Sequence, residues 1–178
     1  MLSAALRLFE RRGYEATTVD DIARAAEVSH MTFFRYFPTK ESVLIGDPFD
    51  PLIARAVASQ GGTLGELERV VRGLLAALEA IDKEVDGLVR RRIRVAAAVP
   101  SLRARMIESN RDTEHAIVEA LIAHGANRFA AEVAAAASLA AITTALWQWA
   151  AMGPEENTLA DTVRLALHVL LPPPARYV

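Results

Sequence analysis

Apolar residues recur at helical spacing through almost the whole chain, and no stretch alternates apolar with polar as a half-buried strand does. Leu2, Ala5, Leu6 and Phe9 share one face of an opening helix, and Gly13 follows as its stop. Val19, Ile22, Ala23 and Ala26 form the next apolar face. Thr18, with Asp21 three residues on, predicts a capping box with Asp in place of the usual Glu. Ser29 predicts the N-cap of a third helix and Pro38 its end. Thr39 predicts another N-cap ahead of Val43, Leu44 and Ile45. The run Gly46-Asp47-Pro48-Phe49-Asp50-Pro51 then breaks or strongly kinks this fourth helix, because an interior proline costs about 3 kcal/mol.

A helical pattern resumes over 52–59, and Gln60-Gly61-Gly62-Thr63 reads as a loop ending in an N-cap. Leu64, Leu67, Val71, Leu74, Leu75, Leu78 and Ile81 form the next stripe. Val85, Leu88, Val89, Val95, Ala96 and Val99 follow, ended by Pro100. Leu102, Met106, Ile117, Ala120 and Leu121 precede Gly125, and Phe129 to Met152 is apolar almost all round. Leu159, Val163, Leu165, Ala166, Val169 and Leu170 close the series. The expected fold is all-α, with roughly nine helices. A three-helix head (1–46) leads through an interrupted connecting segment (47–62) into a helical bundle (63–178).

Composition changes this picture mainly by exclusion. With 178 residues, 52% of them hydrophobic, the chain can bury a real core. It has no cysteine, which rules out disulfides, thiol catalysis and Cys-based metal sites. There is no phosphate-binding glycine loop, and His115 with Glu119 offers only two ligands one helical turn apart. No enzyme activity, metal or cofactor is expected. Residues 1–16 are interrupted by Arg7, Glu10, Arg11 and Arg12, so no signal peptide is expected and a cytoplasmic location is. The first 45 residues balance six cations (Arg7, Arg11, Arg12, Arg24, Arg35, Lys40) against six carboxylates. Phosphate neutralisation supplies most non-specific DNA affinity, so a neutral head needs a few well-placed contacts, or a dimer that doubles them.

Two short capped helices at 18–37 have the pattern of a helix-turn-helix, whose second helix enters the major groove. At about 100° per residue, Phe33 and Phe37 point into the core and Met31 and Arg35 point away, with His30, Thr32 and Phe34 on the flanks. Arg35 suits a two-pronged bond to guanine O6 and N7, and Met31 and Phe34 suit packing on thymine methyls or sugars. Thr18, Ser29, Tyr36 and Lys40 suit phosphate contacts near helix N-termini. The blander readings are Tyr36 at the core rim, His30 solvated and Phe34 packed on the first helix.

Leu6-x-Leu8-Phe9-x-x-x-Gly13-Tyr14-x-x-Thr17-Thr18-Val19-x-x-Ile22-Ala23-x-x-Ala26-x-Val28-Ser29-x-x-Thr32-Phe33-Phe34-Arg35-Tyr36-Phe37-x-x-Lys40-Glu41 closely resembles the amino-terminal domain of the tetracycline-repressor (TetR) family. The Phe33–Phe37 run and the break after it resemble a mycofactocin-type subgroup. The resemblance implies a dimeric repressor of a palindromic DNA operator, released by a small ligand bound in its carboxy-terminal helices. It implies backbone contacts from Thr18, Thr32, Tyr36 and Lys40, and base contacts from His30, Met31 and Arg35. The sequence departs from the family in three ways. It begins inside the first helix, without the basic arm that often precedes it. Glu27 stands where the family usually has Gly, and a left-handed backbone there costs roughly 1–2 kcal/mol. The usual relay, the fourth helix, is interrupted at Gly46–Pro51, so the hinge there has to transmit the ligand signal.

Val133–Trp147 holds only small or apolar residues apart from Ser138, Thr143 and Thr144, which predicts burial on every side. The last two helices are expected to form a four-helix homodimer contact across a two-fold axis. The rivals are a core helix in a monomer and a membrane span, the latter disfavoured by weakly apolar alanines flanked by Glu132 and Gln148. A ligand pocket is expected where Ser109, Asn110 and Thr113 interrupt the stripe of Met106 and Ile117, with Arg92 on the preceding helix and Trp147 nearby. The matching effector is amphipathic, with an apolar body and an anionic end for Arg92. In the blander reading Arg92 snorkels to solvent, the three polar groups bond one another or water, and Trp147 is core packing. The expected function is a ligand-responsive dimeric transcriptional regulator. The alternative is a helical protein-interaction adaptor that binds no DNA.

Overall fold

The computed structural model describes residues 1–45, 50–61, 63–79, 86–153 and 157–171. Among them are nine α-helices and no strand: α1 (Leu2–Arg12), α2 (Val19–Ala25), α3 (His30–Tyr36), α4 (Asp50–Ala58), α5 (Glu66–Glu79), α6 (Asp86–Ala97), α7 (Pro100–Ile122), α8 (Arg128–Ala151) and α9 (Leu159–His168). The caps expected at Thr18, Ser29 and Thr39 form their side-chain bonds, whereas Thr63 is not a cap: α5 starts at Glu66, and the Gly65 carbonyl accepts from the Arg69 amide. Thr18 accepts from the Asp21 amide while the Asp21 carboxylate accepts from the Thr18 amide. The Ser29 hydroxyl accepts from the Thr32 amide, and Thr39 Oγ1 accepts from the Ser42 amide. The segment after Thr39 closes as a single 3-10 turn, Glu41–Val43, and α4 starts at Asp50 with Pro51 in its first turn, where a missing N–H costs nothing. The hinge positions Gly46–Phe49 lie outside the described residues, as do Gly62, Ile81 and Val85.

The chain divides into two compact units. One contains α1–α3, the 3-10 turn, α6 and α7 as far as Ser109; the other contains α4, α5, α7 from Asn110, α8 and α9. This grouping differs from the expected run of head, connector and bundle. The cause is burial: Ala96 and Leu102 belong to the same core as Leu6, Phe9, Ile22 and Phe33. α6 packs on α1, and Arg91 clamps Glu10 through two bonds of 2.7 and 2.6 Å. That clamp holds the Glu10 carboxyl below the usual carboxylate range.

In the second unit α5 packs against α4, α8 and α9. Its buried face takes in Val70, Gly73 and Ala77 beside the expected Val71 and Leu74, and it also takes in Arg69, which is only 4% exposed. Gly73 permits the turned face, because a Cβ there would lie 2.6 Å from the Val57 Cα on α4. On α8, Ala131, Ala134, Ala135, Ser138, Leu139 and Trp149 are buried. Phe129, Val133, Ala136, Ala140 and Thr144 form an exposed opposite face. Length and composition alone would let α8 cross a membrane. Here its buried face packs on α5 and α9 instead.

Gly73→Ala is expected to destabilise the protein by about 1–3 kcal/mol through forced separation of α4 and α5. Urea denaturation checks this; an unchanged midpoint would show that the helices part freely.

Candidate nucleic-acid interface and effector-binding residues

α3 has seven residues, and its orientation is set from below. Phe33 is completely buried, and Phe37 packs beside it with the rings tilted by 43° and their centroids 5.6 Å apart. The outward face carries Met31 (80% exposed), Arg35 and Tyr36 (61%), with Phe34 at 38%. Tyr36 therefore does not lie at the core rim. The Arg35 guanidinium lies 5.2 Å from the Tyr36 ring centroid, and Arg35 makes no ion pair among the described residues. Phe34 meets His30 edge-on at 4.7 Å, and His30 Nε2 lies 3.6 Å from Asp20 on α2. Met31, Thr32, Phe34 and Arg35 line an open hollow of about 430 Å³.

The other residues singled out for DNA are partly engaged within the protein. The Thr18 hydroxyl donates to Asp21 at 2.7 Å, and Ser29 and Thr32 share a hydroxyl–hydroxyl bond of 2.9 Å. Lys40 Nζ donates to the carbonyls of Tyr14 and Thr17 at 3.0 and 3.2 Å and sits 4.1 Å from the Tyr14 ring centroid. An ammonium has three donors, so two of them hold the α1–α2 connection. Tyr14, a motif residue to which the sequence assigned no site role, belongs to this cluster. It is buried, and its hydroxyl donates to Glu41 at 2.7 Å. Burial, reinforced by the Glu41 carboxylate, pushes the Tyr14 phenol well above its ordinary range. The Tyr14 hydroxyl in turn holds the Glu41 carboxyl below its own. Glu27, in the turn between α2 and α3, has φ 55°, a left-handed conformation that side-chain-bearing residues adopt at a cost.

The expected pocket residues fall into different units. Arg92 is half-buried in the first; Met106 packs on the head core, and the Ser109 hydroxyl donates to the Met106 carbonyl at 2.9 Å. In the second, Asn110 donates to Thr143 at 2.9 Å, Thr113 is buried and Trp147 is half-buried. Two buried side chains of the second unit carry polar atoms with no partner: Arg69 through Nε and Nη2, and Ser138 through Oγ. Arg69 escaped the sequence reading because an arginine between stripe positions looks like a solvated one. Among the described residues no three His, Asp or Glu side chains cluster to hold a metal.

Comparison with known proteins adds the lineage. The profile of the bacterial regulatory proteins of the tetR family matches residues 1–45, and that of the MftR C-terminal domain matches residues 65–173. The HTH-type transcriptional regulator EthR of Mycolicibacterium smegmatis is 46% identical over 56 residues, which is 32% of this chain and 25% of EthR. The transcriptional regulator MftR of Mycobacterium tuberculosis is 32% identical over 106 residues, 56% of this chain and 51% of MftR. The chain thus spans a quarter to about half the length of these curated relatives. Among solved structures, the TetR-family repressor FadR of Thermus thermophilus, in complex with lauroyl-CoA, aligns with TM-score 0.53 and 25% identity. That alignment covers 99% of this chain and 96% of that one. SmeT, repressor of a Stenotrophomonas maltophilia efflux pump, aligns with TM-score 0.60 and 22% identity over 94% and 85%.

Two substitutions check the local physics. Glu27→Gly is expected to stabilise the protein by about 1 kcal/mol, by relieving a left-handed side-chain clash. A loss on urea denaturation would show that Glu27 is not strained. Tyr14→Phe is expected to cost about 1–2 kcal/mol near neutral pH by removing the donor to Glu41. Because the Glu41 value is lowered on folding, its stabilising contribution is present above the ordinary carboxylate range and is lost as pH falls through the folded value. The Tyr14→Phe penalty should therefore shrink in acid; a pH-independent penalty would assign the loss to packing.

Proposed function

The chain belongs to the TetR family of bacterial regulatory proteins, with a carboxy-terminal domain of the MftR type, and we propose that it is a ligand-responsive transcriptional repressor acting as a homodimer. One observation carries the reading. A seven-residue helix buries Phe33 and turns Met31, Arg35 and Tyr36 outward behind a capped N-terminus. Arg35 reads guanine, and Met31 and Phe34 pack on thymine methyls or sugars. His30 and Tyr36 flank them, while Thr18, Ser29, Thr32 and Lys40 brace the reading helix and present their remaining polarity to phosphate.

A neutral head favours pairing. Two heads double the contacts and meet half-sites about 34–36 Å apart on a palindrome. The surface for pairing is the exposed face of α8 and α9, where Phe129, Val133, Leu165 and Val169 are all more than half exposed. The effector is an amphipathic anion bound in the second unit, among Asn110, Thr113 and Trp147. The lauroyl-CoA complex of FadR supports that ligand class. A hundredfold loss of operator affinity requires about 2.7 kcal/mol of coupling. α7 belongs to both units, and α6 is held to α1 by Arg91 and Glu10. These two helices are the proposed relay, in place of the hinge at Gly46–Pro51. The relatives named above are transcriptional regulators, and a cytoplasmic protein that binds neither membrane nor cofactor fits them.

With an operator selected from random duplexes, Arg35→Ala is expected to lose about 1–3 kcal/mol of preference for that operator over random DNA, and to lose less affinity for random DNA itself. Equal losses on both would remove Arg35 from base reading. Failure of the wild type to enrich any duplex at low salt would favour the adaptor.

A further inference from the structure

Arg69 sits one turn into α5, 4% exposed, in the unit assigned above to effector binding. Its Nε and Nη2 atoms are buried with no hydrogen-bond partner. The acidic residue beside it, Glu68, is committed to Arg72 at 2.6 Å. An arginine is charged at any physiological pH and carries five donors and no acceptor. Burying one without a carboxylate or phosphate is among the costliest arrangements a core can hold. α8, which packs on α5, adds a second orphan: the fully buried Ser138 hydroxyl. Two buried guanidinium donors without acceptors call for a ligand that supplies them.

We propose that Arg69 is the anion-anchoring residue of the effector site, receiving a carboxylate or phosphate group of an amphipathic ligand whose apolar body lies in the surrounding core. The inference rests on the repressor reading and gives it a residue. It also moves the anionic contact from Arg92, which belongs to the first unit, to α5. A charge kept buried for a ligand weakens the ligand-free protein, so binding and stability should respond to substitution in opposite directions.

The test uses the full chain and three probes with the same apolar tail: lauroyl-CoA, laurate and the uncharged dodecanol. Calorimetry is expected to show the wild type binding at least one anion about tenfold or more tightly than dodecanol. Arg69→Met should abolish that preference, leave dodecanol binding unchanged, and melt at the same or a higher temperature than the wild type. Preference for laurate identifies a carboxylate site, and preference confined to lauroyl-CoA a phosphate site. Arg69→Gln gives the same binding readout should the Met variant fail to fold. Retained anion preference in either variant overturns the assignment, as does a wild type that favours no anion. A destabilised Met variant with unchanged binding would mark Arg69 as a hydrated structural arginine. Operator release separates the two levels. If lauroyl-CoA releases wild type and variant alike, only Arg69 fails; if no probe releases the wild type, the effector reading fails with it.

Discussion

Phe33 is buried completely in a helix of about two turns, and that anchorage decides where every other side chain of α3 points. So short a helix has no second apolar stripe to correct its rotation. Once Phe33 lies among Leu6, Phe9 and Ile22, Met31 and Arg35 face solvent by geometry. The surface offered to a partner is thus a by-product of core packing. Its chemistry is read from what remains when the buried positions are removed.

The same economy appears around Tyr14. One lysine, one tyrosine and one glutamate tie the end of α1 and the α1–α2 connection to the turn after α3. Two of the groups have displaced proton affinities, the phenol upward and the carboxyl downward. In a head of zero net charge, cations used as struts leave few for phosphate. Arg12 and Arg24 lie 3.9 and 3.5 Å from Asp21, which occupies two more. Arg35 lies against the exposed Tyr36 ring and makes no ion pair among the described residues, so its guanidinium stays available on the outward face.

The local features were legible in the sequence because their causes are local. Thr18 with Asp21, Ser29, Thr39 and Gly13 each mark a helix end within three or four residues. Glu27 stands where the family usually has Gly, which raised the question of a left-handed backbone there, and its φ is 55°. The lack of a polar stripe on α8 predicted burial on every side, but within this chain only one face is buried and the face of Phe129 and Val133 is exposed. What escaped depends on contacts between distant segments. Glu10 and Arg91 are 81 positions apart, and nothing periodic announces their pairing. Arg69 escaped for a related reason: Gly73 lets α5 press on α4, which turns the buried face toward Val70 and Ala77 and takes the arginine inward. Lys40 was recognised as important, but its carbonyl partners were not foreseeable from spacing alone.

The shared core of α1, α2, α3, α6 and the start of α7 bears on protein engineering. Residues 1–45 form a contiguous stretch that invites transplantation onto another sensor, yet Ala96 and Leu102 fill part of its interior. A chimera joined after the third helix would leave those hollows open to water, and the Glu10 carboxylate without its clamp. A graft that keeps the head intact must carry a second, non-adjacent cassette comprising α6 and the first turns of α7.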